Sequence, residues 1–232
     1  MVYLRTKLTP NRKSSGVLFF LYTLGLIGLI LLQQCRMAPL SLDSLPSSIK
    51  TLEGYASLMI KNKGKVSRGK VSFFLIWPDE ARLDIADTLG RTVSQLLFLK
   101  TQAYLVLPRD RVYWQGPEEE LFERLLGFSL SLSEWSRLLI SQESLPGAWR
   151  LERDASGRIW RGQRNEVKFV IKRYVGRTRL VETLVIFYPE GEVRWRLREI
   201  YFNRPPREGL FSLQFTRRFQ PKSWREIEAY LK

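Results

Sequence analysis

The sequence predicts a mainly β (α+β) fold, a curved antiparallel sheet interrupted once by two short helices. Three observations predict it. From Gly54 onward, short apolar or alternating runs recur at strand length. The turn signals between them lie too close together for crossover helices, so successive strands run antiparallel. Helical periodicity is confined to the stretch between Pro117 and Ile140.

Taken in order, the first strands are Tyr55 to Ile60, Val71 to Trp77, Leu83 to Ala86, Thr92 to Leu99 and Ala103 to Leu107. Lys63-Gly64, Pro78-Asp79, Leu89-Gly90 and Pro108-Arg109-Asp110 mark the turns. Tyr113-Trp114-Gln115-Gly116 closes this first half. Pro117 followed by Glu118, Glu119 and Glu120 then opens a helix with acids in its first turn, and Gly127 stops it. A second helix is expected over Ser133 to Ile140, with Leu132, Trp135, Leu138 and Leu139 on one face. Strands resume at Ala148 to Arg153, Val167 to Tyr174, Arg179 to Tyr188, Arg194 to Phe202 and Leu210 to Phe215. Val71 to Trp77 and Val181 to Tyr188 are apolar on nearly both faces, so they need cover on both sides. A lid over an apolar cavity would supply it, and so would an ordinary barrel core.

Composition narrows the function classes. With no histidine among 232 residues, Ser-His-Asp and Cys-His catalysis are excluded, as are histidine metal sites. A single cysteine, Cys35, excludes an internal disulfide and a multi-cysteine cluster. No spacing of Asp and Glu singles out a catalytic pair, so neither an enzyme, a cofactor nor a metal is expected. The net charge of +15 fits a polyanionic partner such as an anionic membrane surface, a phosphorylated glycolipid or nucleic acid. The basic residues are also scattered and interleaved with Glu, as a generally Arg-rich composition would leave them. Arg194-Trp195-Arg196 and Trp160-Arg161 alternate in the manner of a strand with one face in and one out, and nucleic acid is not expected.

The N-terminus reads as an address. Arg5, Lys7, Arg12 and Lys13 precede an uncharged apolar run from Val17 to Leu32, and no acid occurs before Asp43. The run is close to the lower limit of a spanning helix, so residues 1–35 are a signal peptide or an N-terminal anchor. Leu32-Gln33-Gln34-Cys35 stands where a lipoprotein signal places its acylated cysteine, although Gln34 is larger than the residue usual before it. Cys35 is thus a lipidation site or an incidental thiol. Either anchor tethers an exported body in the cell envelope, at the periplasmic face of the outer membrane or, with an uncleaved signal, at the inner membrane. Residues 36–50, rich in Pro, Ser and Leu, read as a tether before the folded body of 51–232.

Two stretches carry a family resemblance. Arg82-Leu83-Asp84-Ile85-Ala86-Asp87-Thr88-Leu89-Gly90-Arg91-Thr92 resembles the strand, turn and strand of the outer-membrane lipoprotein receptor family LolB. Phe122-Glu123-Arg124-Leu125-Leu126-Gly127-Phe128-Ser129-Leu130-Ser131-Leu132, with Trp135, Leu138, Leu139 and Ile140 in step, resembles its helix, break and second helix. The joint order covers most of residues 35–175, and the last quarter matches only in its strand pattern. The resemblance implies an unclosed antiparallel β-barrel with a short-helix lid over an apolar cavity for lipoprotein acyl chains, and no catalysis. It implies that Leu89, beside Gly90, protrudes from its turn to enter a membrane. Thr88 stands where the family often has Pro.

On this reading the protein is a monomeric, membrane-tethered acceptor. It takes the acyl chains of lipoproteins from a LolA-like periplasmic carrier and inserts them into the outer membrane. A half-barrel carrier for another lipid or glycolipid, and a structural envelope protein with a filled core, are the competing readings. Leu58, Phe73, Leu75, Leu97, Leu125, Trp135 and Leu139 are the expected cavity residues. A one-residue register slip would exchange that set for its neighbours.

Overall fold

The computed structural model describes Leu40 and residues 42–231. Segment 1–35, with its apolar run and Cys35, lies outside the described residues.

Among the described residues, strands β1 (Thr51–Asn62), β2 (Lys65–Ile76), β3 (Glu80–Ala86), β4 (Thr92–Leu99), β5 (Gln102–Leu107) and β6 (Val112–Pro117) form a meander. Helices α1 (Glu118–Leu126) and α2 (Leu132–Leu139) follow. A second meander consists of β7 (Arg150–Arg153), β8 (Ile159–Arg164), β9 (Val167–Tyr174), β10 (Val181–Tyr188) and β11 (Gly191–Phe202), before a short β12 (Gln220–Pro221) and helix α3 (Trp224–Tyr230). All strands join one sheet in the order β12-β6-β5-β4-β3-β2-β1-β11-β10-β9-β8-β7. Every pairing is antiparallel except β12 with β6. The terminal strands β7 and β12 do not pair with each other, so the barrel stays unclosed.

The register defines two ends. The turns at 63–64, 87–91, 108–111, 165–166 and 189–190 all fall at one of them, the hairpin end. There the Lys63 amide donates to Glu190 O at 3.0 Å. The last β2–β3 pair is Lys70 with Ala86, whereas β1 pairs with β11 as far as Asn62 and Gly191. The β1–β2 hairpin therefore outruns β3.

Strand alternation sends one set of side chains inward. Leu52, Val71, Leu96, Phe98, Leu105, Leu184 and Trp195 meet Leu121, Phe122, Leu132 and Trp135 from α1 and α2 in the main core. A second, smaller core lies on the outer face, where Leu97, Tyr104, Val106 and Tyr113 are covered by Phe211, Leu213, Phe215 and Phe219. The chain after β11 thus crosses the outside of the sheet, pairs with β6 and turns inward, so that Trp224 and Ile227 of α3 join the main core.

Three differences from the sequence expectations have physical causes. Leu210 to Phe215, expected as a strand, forms turns and a 3-10 turn at Gln214–Arg217, because its apolar residues pack onto the sheet's face rather than pair at its edge. Strand β8 was unexpected, its apolar pattern broken by Gly162; the Phe169 ring fills the space a Cβ there would need. Residues 42–50, read as a tether, carry no regular element, yet Leu42, Leu45 and Ile49 pack against the main core.

Candidate functional site

The concave face encloses an apolar cavity of about 130 Å³. Its floor is Leu58 and Ile60 of β1, Val71 of β2, Leu83 and Ile85 of β3, Ser94 and Leu96 of β4, Leu105 of β5, Ile186 of β10, and Val193 and Trp195 of β11. Phe122, Leu125 and Leu126 of α1 and Leu132 and Trp135 of α2 form the roof, with Leu231 beside them. Pair parity explains the floor, since the register sets Leu83 opposite Leu96 and Leu96 opposite Leu105, all facing inward. Engineered apolar cavities of about 150 Å³ stay dry and take up benzene. Pockets for drug-sized ligands run to roughly 300–1,000 Å³, so this cavity fits a segment of an alkyl chain.

Of the expected cavity residues, Leu58, Leu125 and Trp135 line it. Phe73, Leu75 and Leu139 are buried in the main core beside the cavity rather than in its lining, with the Phe73 ring 5.5 Å from that of Trp195. Leu97 is a correction. It points to the outer face and belongs to the second core, while its neighbour Leu96 faces the cavity. β4 is apolar on both faces because the C-terminal segment covers its outside, and parity could not be read from β4 alone. Ser94 and Trp195 were missed; parity with Ile85 and Leu58 would have found them. Trp195 is 2% exposed and meets Trp135 edge to face at 5.0 Å, while Arg194 and Arg196 point outward toward Glu192 and Glu182.

The two roof helices are held differently. α2 starts with a capping box in which the Glu134 amide donates to Ser131 Oγ at 3.1 Å and the Ser131 amide donates to Glu134 Oε2 at 2.9 Å. The same carboxylate accepts from Trp149 Nε1 at 2.7 Å and pairs with Arg164, pinning α2 to β8. α1 ends at Gly127 in the left-handed conformation, and its Phe122 stacks on Phe98 at 5.1 Å. Its polar tie to α2 is Glu118, which accepts from the Leu132 amide at 3.1 Å. Burial raises the Glu118 pKa against the opposing effect of that hydrogen bond. α1 therefore sits over the cavity mainly by apolar packing, with Leu125 and Leu126 half-buried at its margin.

Leu89 and Gly90 occupy the β3–β4 turn at the hairpin end, and Leu89 is 76% exposed. Asp87 holds the turn. Its Oδ1 accepts from the amides of Leu89 at 2.9 Å and Arg91 at 3.0 Å, and its Oδ2 accepts from Arg91 Nε at 2.8 Å. The Arg91 amide, then its side chain, lowers the Asp87 pKa. Gly90 has φ +82° with open space around it, a backbone conformation that suits glycine. The clamp orders the turn without a proline at Thr88.

No protein-family model and no curated protein matches the chain. Solved structures match its fold. A DUF1329 family protein from Desulfovibrio piger superposes with a TM-score of 0.52 at 11% identity, over 72% of this chain and 91% of that one. A domain assigned to outer membrane lipoprotein sorting, from Vibrio parahaemolyticus, gives 0.47 at 12% identity over 72% and 91%. A LolA superfamily protein from Nitrosomonas europaea gives 0.47 at 7% identity over 74% and 92%. These are likenesses of fold, and the first is the one with weight.

Proposed function

We propose that the protein is a membrane-tethered acceptor that binds lipoprotein acyl chains delivered by a soluble periplasmic carrier and releases them into the outer membrane, without catalysis. The observation that carries this reading is the apolar cavity between the concave face and the α1–α2 roof. Its walls offer methyl, methylene and aromatic surface, with Ser94 the one hydroxyl among them. Such a lining binds an alkyl chain at roughly 0.8 kcal/mol for each methylene buried. Because the cavity holds only part of a chain, uptake lifts α1, the helix held mainly by packing, while α2 stays pinned through Glu134. Leu89, held outward by the Asp87 clamp, is the contact with the receiving membrane. Burying that one side chain contributes roughly 1.5–3 kcal/mol.

The test is transfer of a triacylated lipoprotein from a loaded carrier to the full chain in proteoliposomes, comparing the wild type with Leu89→Glu. The reading expects both proteins to accept cargo and only the wild type to deliver it. Acceptance by neither, with another lipid found bound by native mass spectrometry, would replace it with a carrier for that lipid.

A further inference from the structure

Residues 61–70 read Lys-Asn-Lys-Gly-Lys-Val-Ser-Arg-Gly-Lys, five cations without an acid. Residues 61–69 form the part of the β1–β2 hairpin that outruns β3, Lys70 pairs with Ala86 at its base, and all five cations are exposed. Among the described residues, Lys63 alone of these has a carboxylate within salt-bridge distance, Glu190 at 3.2 Å; Lys61, Lys65, Arg68 and Lys70 have none. Alternation places Lys61 and Arg68 on the outer face and Lys65 on the inner. The charge therefore surrounds the hairpin. Val66 stands exposed in its midst at 47%. The β3–β4 turn, with Leu89, is adjacent: a Cβ on Gly69 would lie 3.1 Å from Ala86 O.

We infer that this hairpin is a docking surface for an anionic phospholipid bilayer, its cations at the lipid phosphates and Val66 at the interface. Lysines on an open strand edge also block strand pairing, but Lys61 lies on β1, which is paired on both sides, and such blocking needs no exposed aliphatic side chain among the cations. A nucleic-acid groove interleaves cations with aromatic platforms, and residues 61–70 contain no aromatic. Exposed aliphatic side chains among cations suit a bilayer with negative surface potential. The inference rests on the proposed membrane-facing role, but not on what fills the cavity.

Hydrogen exchange of the full chain in nanodiscs tests it, with phosphatidylcholine alone or mixed with phosphatidylglycerol. Amides of residues 64–69 slow only in the anionic discs, high salt reverses the effect, and the turn at 154–158, at the opposite end, does not respond. Lys61→Glu, Lys65→Glu and Arg68→Glu together abolish the slowing, with each cation removed worth roughly fivefold in affinity. Equal exchange in both discs would overturn the inference, as would protection by an oligonucleotide without protection by anionic lipid. The discs hold neither lipoprotein nor carrier, so hairpin protection alongside failed cargo transfer would leave docking intact and remove the acyl-chain reading.

Discussion

Glu134→Ala tests how the roof is held. Glu134 is 6% exposed, and the change removes three contacts together: the return arm of the capping box, the acceptor of Trp149 Nε1, and the partner of Arg164. Breaking a fully buried ion pair costs roughly 3–5 kcal/mol. Here the Arg164 side chain is 22% exposed, still donates to Ser129 O at 2.7 Å and stays over the Trp149 ring at 4.6 Å, which lowers its share. The Trp149 N–H is left without an acceptor, at roughly 1–3 kcal/mol. Weakening the cap adds about 0.5–1 kcal/mol, because Ser131 keeps its own half. The expected loss is about 3 kcal/mol by urea denaturation at unchanged slope. Glu134→Gln retains an acceptor for Trp149 and costs about half as much. A loss below about 1 kcal/mol for the alanine, or equal losses for both variants, would refute the claim that this carboxylate pins α2.

Other predictions address the cavity, the outer cover and pH. Ser94→Leu places apolar volume in the cavity, and with a filling gain of about 24 cal/mol per Å³ it stabilises the fold by about 1 kcal/mol while weakening acyl-chain uptake; thermal unfolding and a fluorescent fatty-acid titration check the two together. Phe215, half-buried, meets Tyr104 at 5.8 Å and Tyr113 at 5.4 Å edge to face. Phe215→Ala should cost about 2–3 kcal/mol, below the roughly 3–5 kcal/mol of a fully buried ring, and leave uptake unchanged. At the start of α3, the Ser223 hydroxyl and amide and Lys222 hold Glu226 down to about 2. Its folded pKa lies below the unfolded one, so its contribution is full above the ordinary carboxylate range and lost as pH falls toward 2. A carboxyl NMR titration of Glu226 should show that low midpoint, and one near the ordinary value would contradict the capping geometry.

The sheet was legible because strands and turns alternate at short spacing; Thr92–Leu99 matches its expected bounds, and α1 stops at the expected Gly127. What was not legible depends on distant packing. The choice between Leu96 and Leu97 is made by residues 211–219 lying across the outside of β4 and β5, more than a hundred positions later in the chain. Gly162 disguised β8 because its partner is an aromatic ring on the next strand. Helix α3 was within reach: Ser223-Trp224-Arg225-Glu226 is a capping-box pattern, and the Ser223 amide and hydroxyl both donate to the Glu226 carboxylate. The exposed position of Leu89 was expected from the family resemblance rather than from the residues, and the Asp87 clamp that holds it became visible only in the geometry.

On the proposed function, the acyl chain binds in the roofed cavity. Loading the full chain with a lipoprotein whose acyl chain carries a diazirine, irradiating it and mapping the adducts by mass spectrometry tests this directly. Adducts on Leu58, Leu96, Leu125 and Trp135 are predicted. Adducts confined to the outer core around Phe215, or none in the body at all, would contradict it.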